Sequence, residues 1–319
     1  MNDKNILFQE YNAGDEHQIL ALFKVVFGRD MSMDYWKWRF QECPSGKGIT
    51  YLAFDAQKLV GHFAVHPIDL FIDNTIVRSV FGLTVMVHPS YQGHGLFTKL
   101  ASLTYQKASS LGYKYFFGFP NKNTLHGYTH HLSCHTMEEI NLLYTEREKL
   151  EEINSVLQCE RVFNASKISR IQSELKPDCV FVNPRVLAFL EWRFFLEPFN
   201  NYHIYRIMQN EECIAYFVLK IYKNKIVHII DIQGIQSDDV IKTVLFEVNN
   251  FCKQNKIDNV SLWLTKNSMF FNLFIEHGFR IDETKVQTIV RSLTSNDDME
   301  FVLSHQQNYC PMMADSDVY

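Results

Sequence analysis

The chain contains no run of about 18 consecutive apolar residues, so no bilayer-spanning helix is expected. Its first residues, MNDKNILFQEYN, lack the apolar core of a secretory leader. The seven cysteines (Cys43, Cys134, Cys159, Cys179, Cys213, Cys252 and Cys310) form no CxxC pair and are odd in number. That pattern argues against a disulfide framework and for reduced thiols, which give the expectation of a cytoplasmic protein without a membrane partner. An excess of positive charge is also missing. Against 36 Asp and Glu stand 31 Lys and Arg, a formal net charge of −5. Binding nucleic acid needs a dense basic face, so no nucleic-acid partner is expected.

What is present suffices for two domains with cores of their own: 319 residues, 46% of them hydrophobic. An internal repeat shows how they are arranged. YWKWRFQECP, from Tyr35 to Pro44, aligns without a gap on FLEWRFFLEP, from Phe189 to Pro198, at an offset of 154. Trp38, Arg39, Phe40 and Pro44 thereby match Trp192, Arg193, Phe194 and Pro198. The same offset carries Tyr51 to Tyr205 and Gly61-His62 to Ala215-Tyr216. Each copy has a helix start nearby, Ser32 in the first and Asn183-Pro184 in the second. A period this long is no solenoid and indicates a duplicated domain.

Periodicity gives the same coarse order in both copies. In the first, a helix is expected over 15–27, strands over 49–54, 58–68 and 79–87, a helix over 95–111, a strand over 113–119 and a helix near 125–132. In the second, strands are expected over 202–208, 212–222 and 225–234, a helix over 239–255, a strand over 259–264 and a helix over 268–277. The charged stretch 145–154 reads as a solvated linker helix. The division expected is 1–145, a linker over 146–178, and 179–319. The fold class is α+β: two tandem domains, each a mixed, mainly antiparallel sheet flanked by helices.

The segment GLTVMVHPSYQGHGLFTKL runs from strand through a two-glycine loop into a helix. Glycine lets backbone approach a ligand, and free N–H groups at a helix N-terminus favour phosphate. The segment resembles the acyl-CoA motif of the GNAT N-acetyltransferase superfamily, Q/R-x-x-G-x-G/A after a strand ending Val-x-Pro. Val87-His88-Pro89 matches the strand end and Gln92, Gly93, His94, Gly95 and Leu96 the loop, with Phe97 at the last small position. The resemblance implies acyl-CoA as co-substrate. Pyrophosphate would lie on residues 92–97 and pantetheine along Val85, Met86 and Val87, with Asn121 and Asn123 near it. Strand alternation places Thr84 and Met86 on one face and Val85 and Val87 on the other. The family mechanism needs only a proton taken from the amine and one given to sulfur. His62, Thr84 and His88 are the candidates on the base side and Tyr128, one position from the family tyrosine, on the acid side.

The second copy carries the family's later motif as Asn267, Phe274, Gly278 and Phe279, with a phenylalanine where the tyrosine would stand. It lacks the glycine loop and has DIQGIQSDD there, whose carboxylates would repel a pyrophosphate. It reads as a degenerate repeat. His126/His130 and His131/His135 have i, i+4 spacing, but no further ligand completes a zinc site, and no metal is expected.

The strings YWKWRF, GHFAVHP and FGFPNKN resemble tandem N-acyltransferases of anthrose-type surface-polysaccharide pathways. That resemblance implies a small-molecule amine acceptor, a dTDP-linked 4-amino-4,6-dideoxy sugar. Tandem aminoglycoside or peptide-amine acetyltransferases and a non-catalytic CoA-binding scaffold are the alternatives. Both a monomer and a homodimer accord with the sequence.

Overall fold

The computed structural model describes residues 5–72, 75–169, 181–182, 184–294 and 296–317. Asn183 and Cys179, expected near the start of the second copy, lie outside them. The chain divides into two compact units. The first comprises Met1–Leu70, Thr75–Met137 and Gln287–Ser304; the second comprises Phe71–Asn74, Glu138–Val286 and His305–Tyr319.

The first sheet is built from β1 (Ile6–Glu10), β2 (Ile49–Asp55), β3 (Lys58–Ile72), β4 (Thr75–Val87), β5 (Tyr115–Gly118), β6 (His135–Thr136) and β15 (Ile289–Ser292), in the order β1-β2-β3-β4-β5-β15-β6. Phe181–Val182 (β9) pairs with the end of β3 at Phe71 and Ile72. Helix α1 (Glu16–Phe27) buries Ile19, Leu22 and Phe23 and stops at Gly28, whose φ of 67° suits a left-handed cap. Helix α2 (Met33–Gln41) starts on Ser32, whose hydroxyl accepts from Tyr35 N at 3.1 Å. Helix α3 (Leu96–Ser110) lays Leu96, Leu100, Ala101, Tyr105 and Ala108 on the sheet, in one core with Val60, Phe63, Val80 and Phe116.

The second sheet takes β7 (Ile140–Glu146), β8 (Gln158–Val162), β10 (His203–Gln209), β11 (Glu212–Tyr222), β12 (Ile226–Gly234), β13 (Asn259–Leu264) and β14 (Arg280–Val286), ordered β14-β7-β13-β12-β11-β10-β8. After the short helix α5 (Leu187–Leu190), a π-helical turn (Glu191–Phe195) precedes β10. Helices α6 (Asp238–Asn255) and α7 (Met269–Glu276) pack Val244, Val248, Phe270 and Phe274 into the core of this unit.

The repeat survives as hydrogen-bond register. Tyr51 pairs with Phe63, Leu52 with His62 and Ala53 with Gly61; at the same offset of 154, Tyr205 pairs with Phe217, Arg206 with Tyr216 and Ile207 with Ala215. Even the irregularity repeats, after Ala53 in one sheet and after Ile207 in the other. Trp38, Arg39 and Phe40 are buried in α2, and Trp192, Arg193 and Phe194 are buried in the turn that precedes the corresponding strand.

The strand near the end of each copy lies in the other sheet. Residues 140–146, inside the first half of the sequence, form β7 between β13 and β14. Residues 289–292 form β15 between β5 and β6. The stretch 145–154 is therefore no linker helix. It ends β7 and continues as a 3₁₀ turn (Arg147–Leu150) whose Leu150 is fully buried. Apart from half-buried Arg147, its charges sit at exposed positions around buried Leu150, which a count of charges does not reveal. Among the described residues no helix is long and apolar enough to cross a membrane.

Candidate active site

The site begins where two parallel strands part. β4 pairs with β5 only over Ser79–Phe81 and Tyr115–Phe117, although β4 continues to Val87. Gly82 stands at the fork: a Cβ there would lie 2.5 Å from the Phe116 ring, so only glycine lets that ring pass.

Beyond the fork β4 carries a bulge. Val80 belongs to the core under α3, while Phe81 and Leu83 are buried outside it; Val85 and Val87 return to that core and Met86 is again buried outside it. Strict alternation would put residues 80, 82, 84 and 86 on one face. The change of face after Leu83 means that one extra residue is absorbed at Thr84, whose φ of 50° is rare for a β-branched side chain. The expected pairing of Thr84 with Met86 on one face is thus corrected by the bulge. Val85 and Val87 do share a face.

His62, on β3, holds the bulge. Its Nδ1 lies 2.8 Å from the Thr84 carbonyl oxygen, so Nδ1–H donates. The ring is fully buried, its Nε2 meets no partner, and burial lowers its pKa to about 4. It is neutral at pH 7, and a proton on it would be taken up in a dry environment at high cost. His88 stands elsewhere, at the end of β4. Its Nδ1 accepts from Ser90 N at 3.2 Å, and its Nε2 lies 3.2 Å from the Lys58 ammonium.

The loop from His88 to Gly95 opens with a 3₁₀ turn (Pro89–Tyr91). Tyr91 ties it to the end of β2 through a 2.5 Å hydrogen bond from its hydroxyl to Asp55. Gly93 and Gly95 have φ of 79° and 74°, with no atom within 4 Å of where a Cβ would be. Gly95 is the N-cap of α3 and supplies no side-chain cap. The first-turn N–H groups of a 15-residue helix are therefore left for an anion, in open space and at the positive end of the macrodipole. Gln92 and His94 are exposed beside them. The Phe97 ring turns inward, edge-on to Tyr128 at 5.1 Å and 6.0 Å from Phe63. Gly127 makes room for it, since a Cβ there would lie 3.0 Å from the Phe97 ring.

After β5, Asn121 caps α4 (Lys122–His126), accepting from the N–H groups of Asn123 and Thr124 at 3.0 Å. α4 continues as a π-helical turn (Gly127–His131). A π turn holds one more residue than an α turn, which accounts for the one-residue displacement of Tyr128. Tyr128 is buried, its ring stacked on Phe116 at 5.7 Å. The His126 and His130 rings stack at 4.0 Å, and among the described residues no group of three or more side chains is arranged to hold a metal.

The second unit has the fork but not the loop. Parallel pairing of β12 with β13 covers Ile226–Ile229 and Asn259–Leu262, and β12 then shifts register against β11. Only residues 235–237 separate β12 from α6, and Asp238 and Asp239 occupy the first helical turn. Where His62 stands in the first unit, Tyr216 donates to Asp231 at 2.8 Å. Arg185 pairs with both Asp231 and Asp315, at 3.0 and 2.7 Å. Asn267 donates to Glu138, and Phe274 is fully buried without any donor.

Sequence reasoning missed the Tyr91–Asp55 tether, the role of His62 as the donor to Thr84, and Gly82 and Gly127 as spaces for rings. A glycine inside the β-rich run SVFGLTVMV was the one visible signal.

Residues 8–130 match the family model described as an acetyltransferase (GNAT) domain. No curated protein matches the chain in sequence. In fold it is similar to a GCN5-related N-acetyltransferase from Anabaena variabilis (TM-score 0.69, 15% identity, 91% of this chain and 73% of that one). It is also similar to a probable N-acyltransferase from Enterococcus faecalis (TM-score 0.72, 9% identity, 91% and 72%). A tandem GNAT protein from the clavulanic acid biosynthesis pathway aligns over 92% of this chain and 100% of its own (TM-score 0.64, 11% identity). Fork, bulge and glycine loop all fall within residues 8–130, the stretch that matches the acetyltransferase (GNAT) domain.

Proposed function

We propose that the first unit transfers an acyl group from acyl-CoA to the primary amine of a dTDP-linked 4-amino-4,6-dideoxy sugar. The observation that carries the acyl-CoA part is the uncapped α3 N-terminus behind Gly93 and Gly95, open to solvent and next to the bulged, half-unpaired end of β4. Pyrophosphate takes the N–H groups of residues 93–97, with Gln92 and His94 beside it. Pantetheine runs along Val85, Met86 and Val87, whose free backbone groups replace the missing strand, with Asn121 and Asn123 flanking it.

Chemistry then asks little of side chains. The neutral amine attacks the thioester carbon, a backbone N–H in the bulged segment stabilises the oxyanion, and the C–S bond breaks to release thiolate. His62 is a positioning residue. Neutral and buried, it fixes the Thr84 carbonyl and so the direction of the following N–H groups. Water takes the ammonium proton, with Thr84 holding it, and His88 lies by Lys58 at the mouth. Tyr128, buried in the π turn, is the donor to the thiolate.

The acceptor reading rests on the three strings and on where they fall. Phe40 of YWKWRF meets His62 of GHFAVHP at 6.0 Å, and His66 of the same string meets Phe81 at 5.6 Å, which meets Phe119 of FGFPNKN at 5.4 Å. Two groups of ring contacts thus tie the other two strings to the one on β3. The test is thiol release from a series of acyl-CoA thioesters with dTDP-amino sugars, aminoglycosides and peptide amines as acceptors. Turnover with the dTDP-amino sugar alone supports the proposal. Turnover only with another amine overturns the acceptor, and absence of release with every pair overturns catalysis.

A further inference from the structure

Away from the acyl-CoA loop, the first unit has a cleft of about 610 Å³ along the C-terminal half of α3, against β15 and β6. No residue of the loop lines it. This volume is in the range of small-molecule pockets. Its walls carry Ser102, Ser109, Ser110 and Ser133 from one side and Ser292 and Thr294 from the other. Gln106 and His135 add an amide and an imidazole, and Arg291 a guanidinium. Among the described residues no carboxylate lines it, in a chain whose acids outnumber its bases.

Arg291 is held but not neutralised. One N–H group donates to the Leu132 carbonyl, and the guanidinium lies 5.3 Å from the centre of the Tyr105 ring. No carboxylate among the described residues pairs with it, and its other donors meet no acceptor among them. A planar cation fixed by stacking and one hydrogen bond, with its remaining donors free, is preorganised for an anion. The hydroxyls around it suit a ligand that is itself rich in hydroxyls, and Tyr105, Leu293 and Met299 give an apolar floor.

We infer that this cleft is a second small-molecule site, for a polyhydroxylated phosphate monoester of hexose-phosphate size, with Arg291 on the phosphate. The inference is independent of the acyl-transfer reading.

Isothermal titration of the full chain with glucose 6-phosphate, glucose and inorganic phosphate tests it. Glucose 6-phosphate is expected to bind, and either fragment alone to bind at least about tenfold more weakly, because each keeps only part of the contacts. Arg291→Gln, which keeps an N–H for the Leu132 carbonyl, should weaken glucose 6-phosphate binding about tenfold or more, the scale of one charge-assisted hydrogen bond. Ser109→Glu puts a carboxylate into the half-buried wall without touching Arg291, and should have at least as large an effect. Circular dichroism identifies a variant that fails to fold, in which case the other carries the test. No heat with millimolar glucose 6-phosphate overturns the site. So does equal affinity for inorganic phosphate, or unchanged affinity in both folded variants.

Discussion

At His62 the side chain that looks most like a general base is dry and neutral. Its Nδ1–H is committed to Thr84, and its pKa is lowered to about 4 by burial. Asn offers an amide N–H at similar reach, so His62→Asn should keep near wild-type kcat. His62→Leu leaves a buried carbonyl unsatisfied and should lower kcat about tenfold, matching a cost of ~1–3 kcal/mol. A pH–rate profile of the wild type should show no break that His62→Asn removes. A large loss in the Asn variant, together with such a break, would restore the ring as base. Stability depends on the same ring. The unfolded chain protonates His62 near pH 6.5, whereas the folded chain does so near pH 4. The unfolded state therefore binds more protons in that window. The stabilisation is complete above pH 6.5 and falls as the pH drops toward 4, by on the order of 1–3 kcal/mol. Buried His228, also lowered to about 4, acts in the same direction. Thermal melts from pH 7.5 to 4.5 should show the decline, shallower in His62→Asn. Gly95 gives a second check at this scale. With φ of 74°, Gly95→Ala strains the cap by ~1 kcal/mol. Gly95→Asp adds a charge facing pyrophosphate and should weaken CoA binding well beyond the Ala variant in calorimetry.

Among the elements, those set by local pattern were legible in the sequence, and those that depend on a distant partner were not. The apolar stripe of α3 and the paired glycines before it announce strand, loop and helix; the structure has the helix within one residue at each end and the strand ending at Val87, though starting four residues earlier, at Thr75. The repeat of Trp38-Arg39-Phe40 announced duplication, and it returns as strand register. What stayed hidden is short or swapped. β6 has two residues and β15 four, too few for a period. The bulge at Thr84 comes from one residue's dihedrals, and the π turn that moves Tyr128 leaves no mark in composition. β15 also makes a testable demand. Val290 pairs with Phe117 on one side and His135 on the other. A proline there removes a donor from a central strand, so Val290→Pro should cost ~3 kcal/mol or more and abolish CoA binding, although nearly two hundred residues separate it from Gly95. CoA affinity and the melting temperature should fall together; a variant that melts as the wild type does would show that β15 is dispensable.

For the whole molecule, duplication raises the question of how many acyl-CoA molecules one chain binds. Both sheets fork, so both have the backbone opening. They differ in the groups beside the opening and in the segment that leads out of it. In the first unit the strand after the fork leads through residues 88–95 to an uncapped helix; in the second, residues 235–237 lead to a helix capped by Ser237, with Asp238 and Asp239 in its first turn. An anion at that end would meet two carboxylates and too short a loop to surround it. Beside the fork, fully buried Asp231 is held by Arg185 and Tyr216, with Asp315 as the second acid on Arg185. Breaking such a network exposes a buried charge without its partner. Arg185→Ala should therefore destabilise the chain by ~3–5 kcal/mol and not create a CoA site. Calorimetry with CoA is expected to give one site per chain, removed entirely by Gly95→Asp. Residual binding of equal affinity in Gly95→Asp would mean that the second fork accepts CoA despite its acids, and the division of labour between the copies would fall with it.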